Sequence, residues 1–393
     1  MKKPGNFRIG IRLPDWNRGY GNRLFGGIRD FIQEGHSFEL EFDQPSAGYF
    51  EPIRIDENWQ GDGLLVYRYN TEEARAWRKR GISVVNLSAE QPDSGPRFPR
   101  VTLDNENAGE LAAEHLSSLG APQFAFWHDP SRKYSEERLA GFQEGLSKRN
   151  FECTVVEVPA SMISGRRRFK LVSKAVREGI LRLQKPCGFF AKDDLAGVST
   201  IRALKDLNIR CSEEIAVLGV SDDIVHCHLS SPALSSLRFP GKKLGYTAAK
   251  LLNRLMNGED ISEEFRIQIA SPGVVPREST EHIDLQDRIV SEAMLIIRKE
   301  ACAGNLTVHD LCDRLEASRE LVRQKFQETF GRSVKQEIDR VRCANIADLL
   351  RKTDWPQERI AEICSFSGGD ELCRFFKRVW GTTPSNWRKL GLD

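Results

Sequence analysis

Four short stretches carry residues suited to holding a small polar molecule. "RLPDWNRGYG" offers Asp15, Trp16 and Arg18, and "HDPSRKYSEERLAGF" offers Ser135 and Arg138. "FFAKDDLAG" offers Asp193 and Asp194, and "LGVSDD" offers Ser221 and Asp222. Carboxylates and a guanidinium take paired hydroxyls in two parallel hydrogen bonds. An indole face packs on the apolar side of a sugar ring. The chemistry this points to is capture of a polyhydroxylated ligand. Each residue also has a plainer reading as a helix cap or surface charge, and Asp193 and Ser221 both precede helical stretches where capping side chains are favoured. Turnover would fall to Asp193 and Asp194 as acid and base, but neighbours after a strand tend to point in different directions. The sequence contains no hydrolase triad and no P-loop, and "HCH" at 226–228 matches no usual zinc spacing. No catalytic residue, metal or cofactor is expected.

A second group of chemistry-bearing residues lies in "EASRELVRQKFQETFGRSV", residues 316–334. At ~100° per residue, the face opposite Val322 and Phe326 carries Glu320, Arg323, Gln324 and Gln327, with Arg319 on its shoulder. Arg and Gln pair bidentately with guanine and adenine in the major groove. The matching face of a later helix, opposite Leu372 and Phe376, carries Asp370, Cys373, Arg374 and Lys377. That helix opens on Gly368, Gly369, Asp370 and Glu371. Carboxylates near phosphates repel, and glycine costs up to ~1 kcal/mol relative to alanine in a helix. The second helix therefore either binds weakly or reads cytosine amino groups through Glu371 or Asp370.

The elements that position these groups fall into two halves. Up to about residue 270 the apolar runs "FRIGIRL", "GLLVYRY", "ISVVNLS", "QFAFWHD", "CTVVEV", "CGFFAKD", "IAVLGVS" and "FRIQIAS" read as buried strands. Amphipathic or alanine-rich stretches separate them, which implies parallel sheets with helices on both faces. Ligands on such sheets sit beyond the carboxyl ends of the strands, where the first four stretches lie. After "SPGVVPREST" the pattern is wholly helical. Ile289, Ala293, Ile296 and Ile297 mark one buried helix face. Thr307 can cap a short helix bearing Leu311 and Leu315, and Ser318 a second one that ends at Gly331. Such a pair is a helix-turn-helix candidate. The unit repeats: Val322, Phe326, Phe330 and Gly331 recur as Leu372, Phe376, Trp380 and Gly381. Between the units, Val334, Ile338, Val341 and Leu349 mark a connecting helix of some sixteen residues, about 24 Å at ~1.5 Å each. Two recognition helices can then sit about one DNA turn apart, ~34 Å.

Composition narrows the class. The length of 393 residues suits two or three domains. No apolar run reaches signal-peptide or membrane-span length, so no membrane association is expected and the location expected is the cytoplasm. The 9 cysteines form no C-x-x-C pair and suit reduced thiols. Net charge is +2, and residues 284–393 hold 19 Lys+Arg against 18 Asp+Glu. Any DNA contact must rest on where charges fall, not on their sum.

Here resemblance adds to the residues. "VTLDNENAGELAAEHLSSLG", "YSEERLAGFQEGL", "FFAKDDLAGVSTIRALKDLNIRCSEEIAVLGVSDD" and "LSSPALSSL" resemble successive landmarks of the LacI-type, periplasmic-binding-protein-like sensor domain. That resemblance implies two α/β lobes joined by crossover strands, with a sugar clamped between them. The LacI headpiece is not represented ahead of the first strand at about Phe7. The tandem repeat with "GTTPSNWRK" resembles the AraC-family DNA-binding domain. The expected organisation is a sensor at 1–276, a linker at 277–285 and tandem helix-turn-helix motifs at 286–393. The combination implies a transcription regulator, an activator binding a pentose such as D-xylose. Its expected partners are a double-stranded DNA operator, RNA polymerase and a second copy of itself. In sensors of this type an aspartate commonly follows the hydrophobic-Gly-hydrophobic strand end, where this chain has Ser221 and then Asp222. Either the loop shifts register or one ligand hydroxyl loses its carboxylate, leaving another sugar or a sugar acid open as effector, as is a protein signal.

Overall fold

The computed structural model describes residues 7–14, 18–43, 53–158, 168–281, 287–302 and 306–391. The first lobe begins with β1 (Phe7–Arg12), α1 (Arg18–Gln33), β2 (Phe38–Phe42), β3 (Gly63–Val66), α2 (Thr71–Lys79), β4 (Ser83–Asn86) and β5 (Arg100–Leu103). The chain crosses to a second lobe of α3 (Asn105–Ser117), β6 (Gln123–His128), α4 (Lys133–Ser147), β7 (Cys153–Glu157) and α5 (Arg168–Leu181). This lobe continues with β8 (Cys187–Phe190), α6 (Asp194–Asp206), β9 (Ile215–Ser221), α7 (Ile224–Leu229) and β10 (Ser235–Arg238). Helix α8 (Gly241–Met256) and β11 (Arg266–Ile269) return to the first lobe, and β12 (Val274–Val275) crosses back.

Each lobe holds a six-stranded sheet, β11-β5-β4-β3-β1-β2 in one and β12-β10-β9-β8-β6-β7 in the other. The pairings are parallel, save β12 running antiparallel to β10. All eight runs expected as strands form strands, and among them β3 and β8 are buried along their whole length and β9 nearly so, as in a parallel sheet covered on both faces. Four strands lie outside those runs: β2, whose "FELEF" alternates with charge, β5, β10, whose "SSLR" is polar yet fully buried, and the two-residue β12. Two helix pairs close the lobes at backbone contact. A Cβ on Gly109 of α3 would stand 2.3 Å from the Arg138 carbonyl, and one on Gly141 of α4 would stand 2.0 Å from the Glu106 carbonyl. Only glycine permits this approach, which sets the helix that carries Arg138.

The C-terminal half is α9 (Arg288–Glu300), α10 (Val308–Arg314), α11 (Arg319–Phe330), α12 (Val334–Lys352), α13 (Gln357–Ile363), α14 (Gly369–Trp380) and α15 (Pro384–Gly391). In α9 the buried stripe is Val290, Ala293, Met294, Ile297 and Ala301, rotated by one residue from the expected face, with Ile289 and Ile296 half-buried. Thr307 caps α10 in a capping box with Asp310, Ser318 caps α11, and Gly331 ends it with φ +65°. Helix α12 runs 19 residues, about 28 Å, slightly longer than read from sequence. The two units keep separate cores. Val322 and Phe326 pack with α9 and Ile338, and Leu372 and Phe376 pack with Ile346 and Ile360.

Candidate ligand cleft and DNA interface

The carboxyl ends of both sheets meet over one cleft, about 490 Å³ with its mouth included. Tyr20, Tyr67 and Ser88 line it from the first lobe, Thr102 and Asn105 at the crossover, and Tyr134, Arg138, Asp193 and Ser221 from the second. Arg138 is buried, with Nε donating to Asn105 Oδ1 at 3.0 Å and Nη1 donating to the Lys192 carbonyl. Its guanidinium lies 4.8 Å from the Tyr134 ring centroid. Asn105 is fixed in turn, donating to Glu137 at 2.8 Å, and Glu137 accepts both Arg266 nitrogens at 2.7 and 2.9 Å. The arginine is therefore aimed before any ligand arrives.

Asp193 does two jobs. Its Oδ1 caps α6 by accepting from Ala196 N at 2.8 Å, and its Oδ2 accepts from Lys192 Nζ at 2.6 Å and Tyr134 OH at 3.2 Å. Burial alone would raise its pKa, but the Lys192 ammonium beside it holds the carboxyl below its usual range. Burial pushes the Tyr134 hydroxyl up to about 12, so it stays a donor. The capping and ligand readings of Asp193 are thus both compatible with its place.

Of the residues expected at the cleft, Arg138, Asp193 and Ser221 come together there. Asp15 and Trp16 lie outside the described residues. Asp194 is set behind the cleft. It is buried, accepts from Ser236 Oγ at 2.5 Å and Asp223 N at 2.9 Å, and burial pushes its pKa up to about 7. Asp222 turns away too, since its φ of +50° after Ser221 at +133° directs the carboxylate to Arg277, with Arg238 at 3.5 Å. Ser221 lines the cleft and Asp222 is held in an ion pair with Arg277, so this strand end presents a hydroxyl rather than a carboxylate. Tyr20, Tyr67, Asn105 and Ser88 were missed. Tyr67 lies in the run "GLLVYRY" one residue past the end of β3, and Tyr20 lies in "RLPDWNRGYG" after β1, so the strand-end rule applied to both.

One contact fixes the segment that leads out of the second lobe, and another joins that lobe to the helical half. Asp222 holds Arg277, at the start of a segment built into the second lobe by Ser279, which donates to Val217 O at 2.7 Å. Arg332, just past α11, donates to the Ser118 carbonyl at 3.0 Å and pairs with the buried Glu337 at 2.5 Å. Across the cleft itself, Arg23 of α1 donates to the carbonyls of Ser221 and Asp222 at 2.5 and 3.0 Å.

On α11, Arg319, Glu320, Arg323, Gln324 and Gln327 are all exposed on one side. Arg323 Nε pairs with Glu320 at 2.9 Å and Gln324 donates to Glu328 at 2.8 Å, both within the helix. On α14, Asp370, Arg374 and Lys377 are exposed and Cys373 half-exposed. Glu371 accepts from Ser367 N and Oγ at 2.8 Å each, which ties it to the turn ahead of a helix whose N-cap, Gly368, has no side-chain cap. Arg342 holds the preceding turn, donating to the Cys364 and Ser365 carbonyls at 2.6 and 3.0 Å.

Comparison with known proteins agrees with this architecture. Residues 113–280 match the periplasmic binding protein-like domain and residues 311–390 a helix-turn-helix domain. The chain is 24% identical over 383 residues to the xylose operon regulatory protein of Escherichia coli K12, covering 96% of each. It is 29% identical over 307 residues to the protein of that name from Haemophilus influenzae, covering 77% of this chain and 78% of that one. A solved structure of the xylose-binding transcription activator XylR superposes with a TM-score of 0.60 at 23% identity over 98% of both chains, and so shares the fold. The reading as a sugar-consuming enzyme has no counterpart in these relatives. The chain is a transcription regulator of the XylR-like kind, in which a periplasmic binding protein-like domain is fused to an AraC-type helix-turn-helix domain.

Proposed function

We propose that the chain activates a pentose catabolic operon and that D-xylose, or a closely related pentose, is the ligand of its cleft. The observation that carries this reading is the preset cleft, in which Arg138, Asn105, Tyr134 and Asp193 present fixed donors and acceptors around the space between the lobes. Tyr20 supplies an aromatic wall, stacked on Phe239 at 3.7 Å between ring centroids, the surface on which a sugar's apolar face packs. The regulator binds operator DNA through α11 and α14, recruits RNA polymerase and acts as a homodimer in the cytoplasm. Exposed Leu195, Ile224, Val225 and Leu229 give the second lobe an apolar face suited to pairing protomers. Among the described residues no helix is long and apolar enough to cross a membrane. We take the sensor as 1–276, the linker as 277–285 and the DNA-binding domain as 286–393.

Ligand closure of the lobes is transmitted through Ser221, Asp222 and Arg277 to the helical half. For a complete switch from 1:99 to 99:1 the sugar must favour one arrangement by ~5.5 kcal/mol. A second reading has its own support: Asp193 is already matched by Lys192, which leaves the Arg138 charge to face the ligand, as an acidic sugar would require. A thermal-shift panel of aldopentoses, hexoses and sugar acids separates the two. A ligand at ~100 times its dissociation constant adds ~2.7 kcal/mol of stability. D-xylose alone raising the transition supports the first reading; a sugar acid alone overturns it in favour of the second, and no shift overturns both.

A further inference from the structure

Cys302 follows the end of α9, and Cys364 closes α13. Cys302 packs against the buried cluster that contains Cys364, and each thiol acts on the ionisation of the other. Their backbones abut as well, since Ser365 Oγ donates to the Cys302 carbonyl at 3.4 Å. Cys364 is buried and Cys302 half-buried. The Asn345 side chain also bonds to the Cys302 sulfur, and the same Asn345 lines an open cavity between the two halves of the molecule, about 950 Å³ with its mouth included. Cys302 is the more accessible of the two thiols, so a small solvent-borne reagent meets it first.

The setting favours a thiolate at one sulfur and a proton at the other. The Cys364 S–H, then Asn345 and the Arg342 charge, hold the Cys302 thiol down to about 7 against the opposing effect of burial. The same contact and burial push Cys364 up. Cys153, Cys187 and Cys211 differ, since burial pushes each up to about 12. Low-pKa, accessible thiols beside a second cysteine are the ones that oxidise selectively.

We propose that Cys302 and Cys364 are a peroxide-sensitive pair whose disulfide weakens DNA binding by fixing the end of α9 to the turn ahead of α14. The Cys302 thiolate attacks one oxygen of hydrogen peroxide; the O–O bond breaks, giving a sulfenic acid, and the departing hydroxide takes a proton to become water. The Cys364 sulfur then attacks the Cys302 sulfur, the S–O bond breaks, and the Cys364 proton leaves with that oxygen as a second water. Two thiols and one peroxide yield one disulfide and two waters. The new bond is ~2.05 Å long, shorter than a thiol–thiol contact, so the two segments must move together. Helix α9 packs on α11 and α12, while Cys364 leads into α14. The link therefore couples the first reading unit to the second and alters their relative placement.

The test treats the reduced full-length protein with hydrogen peroxide and reads two signals. Mass spectrometry of a digest should show the Cys302 and Cys364 peptides joined with loss of two hydrogens. Affinity for duplexes selected from a random pool by the reduced protein should fall by about tenfold and return on adding dithiothreitol. Cys302→Ser protein should match the reduced wild type and ignore peroxide. The proposal is overturned if no joined peptide forms, if joining leaves DNA affinity unchanged, or if Cys302→Ser loses affinity equally under peroxide. The mass signal does not depend on DNA recognition; failure of the DNA-binding reading would appear separately, as no duplex selected at all.

Discussion

The cleft and the recognition helices use similar residue types in opposite ways. In the cleft, Arg138, Asn105, Glu137 and Arg266 form a buried chain in which each group fixes the next. On α11, Arg323 and Gln324 are exposed and satisfied only by neighbours one turn away, Glu320 and Glu328. A small ligand has few atoms to contribute, so its site must be oriented in advance at the expense of the protein's own fold. DNA brings many contacts and a dense field of phosphates, so its readers can remain mobile and exchange an intrahelical partner for a base edge. The arginine in the cleft should therefore behave as part of a unit, and the arginine on the helix as a separable contact.

The largest expected effect tests the unit. Arg138→Ala removes the cleft's charged donor and leaves Asn105 Oδ1 without its partner; the sugar-induced thermal shift should disappear, while DNA binding without sugar persists. A surviving shift would break the contrast, because it would make Arg138 dispensable to a site in which it is the hub.

The junction of the halves sharpens it through pH. His115 bonds to Thr280 Oγ1 at 3.0 Å, and burial, with the Arg340 and Arg298 charges, lowers its pKa to about 3 from 6.5. Between those values the unfolded chain binds the extra proton and the folded one does not, so stability falls as pH drops from 6.5 toward 3 and this contribution is flat above 6.5. His115→Gln should make the acid limb of a stability profile shallower than in wild type. Identical slopes would contradict an imidazole held neutral there.

Smaller effects belong to the exposed readers. Arg323→Ala should cost ~1–3 kcal/mol at one base pair and relax preference there. An equal loss on random duplexes would instead make it a phosphate contact. Lys377→Ala should weaken all sequences alike and reduce the slope of log affinity against log salt by ~0.9. A sequence-dependent loss would promote α14 to a reading helix equal to α11.

The same contrast explains how much was legible in the sequence. The tandem helices were readable almost residue by residue, because Thr307, Ser318 and Gly331 act locally and the 3.6-residue period places Val322 and Phe326 inward. The cleft was readable only where the strand-end rule reached it, at Arg138, Asp193 and Ser221. Asp194 was over-read since sequence adjacency to Asp193 hides that α6 turns it toward Ser236. Asp222 was over-read because its ion partner, Arg277, lies 55 residues away. Asn105 was missed because it lies two residues past β5, a strand not read from the sequence, and Tyr20 because Asp15 and Trp16 drew the reading in its own stretch.

The most direct test of the account is fluorescence anisotropy of the full-length protein on its selected duplex, titrated with and without D-xylose, in wild type and Arg138→Ala. The account predicts that the sugar changes wild-type affinity by about tenfold and leaves Arg138→Ala unchanged. Equal affinity with and without sugar in the wild type, or the same sugar effect in both proteins, would contradict the claim that the cleft governs when the helices read.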